Sequence, residues 1–172
     1  LESIVEIVYH RGLVMHQWVA RDAEGESGYR MGVIRPHYAG MTHEDAEALV
    51  EKIGKESGEF IQIVNYNVMG RQYSVTGSIS ALDVLEERLI ERAVDEKKAP
   101  YIEVPGIDVP FHSEVLRNGV SLFRETLDER LPQIIDPARL VDNYIPNLTA
   151  SPFRIDRAYI EEVYGLTQSE VL

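Results

Sequence analysis

Two residues of this sequence have the type and the setting for chemistry: His112 and Arg11. His112 closes the stretch Asp108-Val109-Pro110-Phe111-His112-Ser113. An apolar run leads into it, Tyr101-Ile102-Glu103-Val104 and then Ile107 to Phe111, broken by Pro105-Gly106. Behind it Leu116, Val120, Phe123, Leu127 and Leu131 recur at spacings of three and four, the mark of a helix, with Ser113 as its N-cap. The pattern predicts a histidine where a strand stops and a helix starts. Open α/β proteins place their chemistry at such rims. The alternative is a histidine that only satisfies backbone groups nearby. Arg11 stands beside Gly12 in a stretch, Ser3 to Trp18, whose Ile4, Val5, Val8, Met15 and Trp18 repeat at roughly helical spacing, continued by Val19. A glycine inside a helix costs about 1 kcal/mol relative to alanine, so Gly12 marks a close approach by another element. Read locally, Arg11 is a solvated residue or one half of a surface ion pair.

Composition removes several other chemistries. The chain has no cysteine, which excludes disulfides, thiolate metal sites and a cysteine nucleophile. There is no glycine-rich phosphate loop and no zinc spacing, and His10, His16, His37 and His43 lack the arrangement of a ligand set. A formal net charge of −12 argues against a nucleic-acid surface, which needs a basic face. No apolar run approaches a membrane span, and Leu1-Glu2-Ser3 lacks the start of a signal peptide, so the expected setting is cytoplasmic. Asn147-Leu148-Thr149 matches a glycosylation acceptor that such a setting would leave unused. The 172 residues suffice for one domain or two small ones, and the lack of an initiator Met reads as a piece of a longer chain.

The elements that must position His112 and Arg11 are legible in between. After the polar loop Arg21 to Gly28, Tyr29 to Arg35 reads as a strand ended by Pro36. Thr42 caps a helix with Asp45 as its capping-box partner, Ala46, Leu49, Val50 and Ile53 as its stripe, and Ser57-Gly58 as its end. Phe60 to Asn65 and Gln72 to Ser78 are strands joined through Met69-Gly70-Arg71. Ser80, with Asp83, caps a helix carrying Leu82, Leu85, Leu89 and Ala93, and Tyr101 to Val104 is the fourth strand. The order β-α-β-β-α-β is the ferredoxin-like split βαβ arrangement. Beyond Leu131 prolines punctuate the chain, and Ile155 to Tyr164 reads as a helix capped by Asp156.

Four stretches now carry a resemblance. Tyr9-His10-Arg11-Gly12-Leu13-Val14-Met15, Ile63-Val64-Asn65-Tyr66-Asn67, Val109-Pro110-Phe111-His112-Ser113 and Tyr144 to Phe153, in that order around a ferredoxin-like insert, resemble the acyltransferase domains that load acyl carrier protein. Within that group the chain is most similar to the malonyl/palmitoyl transferases of type I fatty acid synthases of bacteria and fungi. The implied fold class is α/β (α+β): residues 1–27 and 106–172 as parts of an acyltransferase core, and 28–105 as the inserted ferredoxin-like subdomain. Two departures stand out. The family's Gly-x-Ser-x-Gly nucleophile elbow is missing, since Gly25-Glu26-Ser27-Gly28 has the wrong spacing and follows the arginine. His16 stands where most relatives have glutamine.

The resemblance implies transfer of malonyl, and of palmitoyl as a second substrate, between coenzyme A and the phosphopantetheine of acyl carrier protein. A serine outside this chain would be the nucleophile. A serine hydroxyl needs a base to take its proton, and an imidazole titrates near neutral pH. His112 takes that role and returns the proton to the leaving thiol. Arg11 holds the malonyl carboxylate by a two-point contact that lysine cannot make. Phe111 resembles the position that favours an unbranched malonyl group. Asn67 and Asn147 line or support the pocket, or else serve turns. No cofactor or metal is implied for this segment. The partners would be the carrier domain and the rest of a homo-oligomeric synthase, with no nucleic acid and no membrane. Two other readings stand beside this one: a non-catalytic interaction fragment of a megasynthase, and a ferredoxin-like small-molecule-binding module. Arg11 and His112 far apart in space would favour the latter.

Overall fold

A computed structural model describes residues 2–131 and 136–168. It divides into two compact units, Leu1–Arg130 and Leu131–Leu172.

The first unit begins with α1 (Glu2–Trp18) and is built on one antiparallel sheet. The strands are β1 (Tyr29–Ile34), β2 (Ile61–Val68), β3 (Gln72–Ser78) and β4 (Tyr101–Glu103), in spatial order β2-β3-β1-β4. With α2 (His43–Ser57) and α3 (Ile79–Ile90) between them, this is the ferredoxin-like arrangement the element order predicts. Each local signal has a visible effect. The Thr42 hydroxyl accepts from the Asp45 amide at 3.2 Å, and the Asp45 carboxylate accepts from the Thr42 amide at 3.0 Å, a complete capping box. Gly58 ends α2 at φ 70°. Ala46, Leu49, Val50 and Ile53 of α2 and Leu82, Leu85 and Leu89 of α3 share one buried cluster with Tyr73 and Val75 of β3. Gly32 lies under Tyr101: a Cβ there would come within 2.4 Å of its ring, so β4 can close on β1 only over a glycine.

Several details differ from the sequence reading. Ser78, not Ser80, caps α3, accepting from the Ala81 amide at 3.3 Å, because the helix starts as soon as β3 ends. β2 runs on to Val68, past register shifts at Ile63/Asn65 and Tyr66/Val68 that keep it paired with β3. No strand reaches His112. β4 stops at Glu103, Gly106 turns the chain at φ 73°, and Pro110 lacks the amide that a strand would use. No α-helix starts at once behind His112 either. A 3-10 helix (Glu114–Gly119) comes first, then α4 (Val120–Arg130). Ser113 does not cap it, because its hydroxyl donates backwards to the Pro110 carbonyl at 2.6 Å. Nor does anything described approach Gly12 within 4 Å of where a Cβ would stand. On the same helix Ile4, Val5, Val8 and Tyr9 are exposed, while Val14 is buried.

The second unit holds a 3-10 turn (Pro137–Arg139) and α5 (Arg157–Thr167), capped by Asp156 as expected. Its buried centre is Tyr159, edge-on to Phe153 at 5.6 Å with Arg154 over its ring. No described helix is long and apolar enough to cross a membrane.

Candidate active site

Arg11 and His112, distant in sequence, line one pocket of about 450 Å³ in the first unit. α1 supplies one wall with Arg11, Met15 and Trp18. The 3-10 helix and α4 supply the other through Leu116, Val120 and Phe123. Part of the stripe whose spacing marks a helix in the sequence is thus a pocket wall, and α4 buries none of its side chains. The walls meet where Gly119 passes Trp18. A Cβ at Gly119 would stand 3.3 Å from the indole, tighter than ordinary contact. Gln62 of β2 also lines the pocket, and its side-chain oxygen accepts from the Glu114 amide at 3.2 Å. The sheet subdomain thus reaches the site through one side chain that the sequence reading did not single out.

The electrostatics suit an anion with an apolar or neutral tail. Among the described residues the Arg11 guanidinium has no hydrogen-bond or ion-pair partner, although the chain is rich in carboxylates. A planar guanidinium fork lining a pocket, unpaired among the described residues, can take a carboxylate at two points. Met15, Val120 and Phe123 are apolar, while Glu114 and Arg117 add one charge of each sign to the lining.

His112 sits on the opposite side at φ 61°, in the left-handed region. For a residue other than glycine this costs roughly 1–3 kcal/mol and persists only where the surroundings over-determine it. Here they do. The Phe111 amide donates to the Val109 carbonyl at 2.8 Å, and Ser113 holds Pro110 through its hydroxyl. Val109 and Pro110 are buried. Ahead of them Asp108 forms an ion pair with Arg21, and the Asp108 carbonyl accepts from the Ser27 hydroxyl. The guanidinium holds the Asp108 carboxyl below the usual carboxylate range, against a smaller opposing effect of burial. Arg21 also donates to the Gly25 carbonyl at 2.7 Å and bonds His16 Nδ1 at 2.8 Å. In the sequence Arg21 and Asp108 look like ordinary loop charges. No local signal pairs them, because their contact depends on the sheet folding in between.

The other site candidates fall elsewhere. Phe111 is half-buried next to His112 but does not line the pocket. Asn67 stands at a register shift near the end of β2, exposed, with its side-chain oxygen accepting from Ser74 at 2.9 Å. Its present role is in the hairpin. Asn147 belongs to the second unit, in a turn closed by the Ala150 amide on the Pro146 carbonyl at 2.9 Å. Among the described residues no group of three histidines or carboxylates could hold a metal ion.

No family model matches the chain. It is 34% identical over 213 residues to the fatty acid synthase subunit beta of Saccharomyces cerevisiae, an alignment that takes in 99% of this chain and 10% of that protein. It thus spans about a tenth of the length of the curated relatives it matches. Among solved structures it superimposes on FabD from Acinetobacter baumannii with a TM-score of 0.61 at 22% identity, over 95% of this chain and 45% of that one. An acyl carrier protein S-malonyltransferase from Vibrio cholerae gives 0.59 at 21%, over 92% and 44%. By sequence the chain is similar to about a tenth of the fatty acid synthase beta subunits, and by structure it shares its fold with part of FabD and of the acyl carrier protein S-malonyltransferase.

Proposed function

We propose that this chain is the arginine- and histidine-bearing part of an acyltransferase that moves malonyl between coenzyme A and acyl carrier protein. Residues 1–27 and 106–172 belong to its core, and 28–105 are the inserted subdomain. It works in the cytoplasm within a larger homo-oligomeric synthase, with the carrier domain as its partner. The observation that carries the reading is the shared pocket: Arg11, unpaired among the described residues, lines the same space as His112. The names of the relatives and of the fold neighbours support the same chemistry. That shared pocket also weighs against a binding module in which the two residues have no common task.

The nucleophile is a serine outside this chain. As its oxygen attacks the thioester carbonyl, His112 takes the hydroxyl proton, the carbon–sulfur bond breaks, and the proton passes to the departing thiol. The carrier thiol reverses the sequence. Arg11 holds the free carboxylate of malonate meanwhile, and Phe111, outside the pocket wall, stiffens the segment beside the base. Palmitoyl, which has no carboxylate, would use the same base without Arg11.

The test compares both acyl groups in the full-length protein. His112→Ala should slow both transfers by roughly 10²–10⁴-fold. Arg11→Ala should weaken malonyl transfer by at least about tenfold, since a hydrogen bond to a charged group is worth roughly 1.5–3 kcal/mol. Palmitoyl transfer should persist. Equal losses for the two substrates in Arg11→Ala would mean that Arg11 supports the fold rather than the substrate.

A further inference from the structure

We propose that Arg21 is a positioning residue for His112: with Asp108 and Ser27 it pins the entry of the loop that presents the histidine to the Arg11 pocket. The inference rests on the acyltransferase reading for its kinetic part, and on the geometry alone for its anchoring part.

The left-handed backbone at His112 is held on its far side by Ser113, whose hydroxyl and amide both reach the Pro110 carbonyl, at 2.6 and 3.3 Å. On the near side the loop itself supplies one bond, from the Phe111 amide to the Val109 carbonyl, and Pro110 has no amide to add another. The other ties on the near side come from the loop after α1. Arg21 holds the Asp108 carboxylate, and the Ser27 hydroxyl holds the Asp108 carbonyl, so side chain and backbone of one residue are both clamped. The clamp is itself braced. Arg21 donates to the Gly25 carbonyl, Ser27 also accepts from the Tyr29 amide at 3.0 Å, and an isolated bridge joins Arg21 to Ser27. His16 Nδ1, five residues after Arg11 on α1, accepts from Arg21 Nη2 at 2.8 Å. This gives His16 a task, as an acceptor that turns Arg21 toward Asp108. A glutamine carbonyl at that position could do the same.

Only Val109, Pro110 and Phe111 separate Asp108 from the base, and the first two are buried. A shift at Asp108 therefore moves the imidazole rather than being absorbed. Misplacing a catalytic group by about 1 Å costs on the order of 100-fold in rate.

The experiment uses the full-length protein with Arg21→Gln, Arg21→Lys, Asp108→Asn and the Gln/Asn double variant. Transfer is measured from malonyl-coenzyme A and from an acyl-coenzyme A without a carboxylate, and hydrogen exchange is followed in peptides covering 105–113. We expect kcat to fall roughly 10- to 100-fold for both substrates with KM nearly unchanged. Arg21→Lys should recover part of the rate, and the double variant should be no worse than the poorer single one. Exchange across 105–113 should quicken about tenfold or more while peptides from the sheet stay as in wild type. A loss confined to malonyl would make Arg21 a second carboxylate ligand and overturn the proposal. So would unchanged exchange in the loop, or additive losses in the double variant. If wild type transfers no acyl group at all, the acyltransferase reading fails, and the exchange result still decides the anchoring.

Discussion

The sheet subdomain and the helical flank that carries the pocket are held together differently. In the sheet, Tyr73, Val75, Ala81 and Leu85 are fully buried, and two helices cover one face. In the flank, α4 buries no side chain, and the first turns of α1 leave Ile4, Val5, Val8 and Tyr9 each more than 60% exposed. Order there rests on a few specific ties: Gly119 against Trp18, Gln62 to the Glu114 amide, and Arg21 with Ser27 on Asp108. Burial is cooperative and forgiving of surface changes, whereas single polar ties are not. The residues assigned to chemistry all lie in the second kind of structure, where one substitution can move a side chain without unfolding the molecule.

The largest effect should come from the sheet. Leu85→Ala removes a fully buried side chain from the cluster between α3 and β3. It should cost about 2–5 kcal/mol, read by urea unfolding of the 172-residue chain. Leu127→Ala on the half-buried side of α4 should cost much less. Equal costs would erase the distinction between the two regions.

A smaller effect tests whether local signals in the sheet subdomain act alone. Thr42→Ala breaks the capping box and should cost about 1 kcal/mol. Its partner adds a pH signature. Backbone and side-chain hydrogen bonds from Thr42 hold the Asp45 carboxyl below its ordinary range. A carboxyl depressed on folding stabilises above its unfolded pKa, near 4, and that contribution is lost as the pH falls through the depressed value. Wild type and Asp45→Asn should therefore differ at pH 7 and converge at strongly acidic pH. A gap that widens toward acid would put the stabilisation elsewhere.

The same contrast explains what the sequence could disclose. Thr42 with Asp45, the α2 stripe, and the period of β3 are local, so the ferredoxin-like order was readable in advance. In the flank the spacing does not disclose that apolar residues face a pocket. Leu116, Val120 and Phe123 have helical spacing whether they meet a core or a cavity, and periodicity cannot tell these apart. The stretch before His112 reads as the end of a strand because it is an apolar run, although Pro110 lacks the amide a ladder would use there. Arg11 and His112 were legible through their neighbours in the motif. Arg21 and Asp108 were not, because an ion pair between two distant loops leaves no trace in either.

The smallest expected effect, at Val8, is measured against Val14 and so compares the two kinds of structure within one helix. Val8 and Val14 both lie on α1, the first 62% exposed and the second 7%. Serine and valine have similar helix propensities, so replacing either by serine changes the helix itself little. Val14→Ser takes apolar surface out of the packed part of the flank and leaves a hydroxyl to be satisfied there, which should cost roughly 1–3 kcal/mol. Val8→Ser removes side-chain atoms that touch mostly solvent and should stay within about 0.5 kcal/mol. Both variants are compared by urea midpoint at two protein concentrations tenfold apart. A Val8→Ser cost near that of Val14→Ser at both concentrations would show that the first turns of α1 are packed after all. A cost that grows with concentration would show that copies of the chain cover that face for each other. Either result would move the boundary between the two regions to the start of α1.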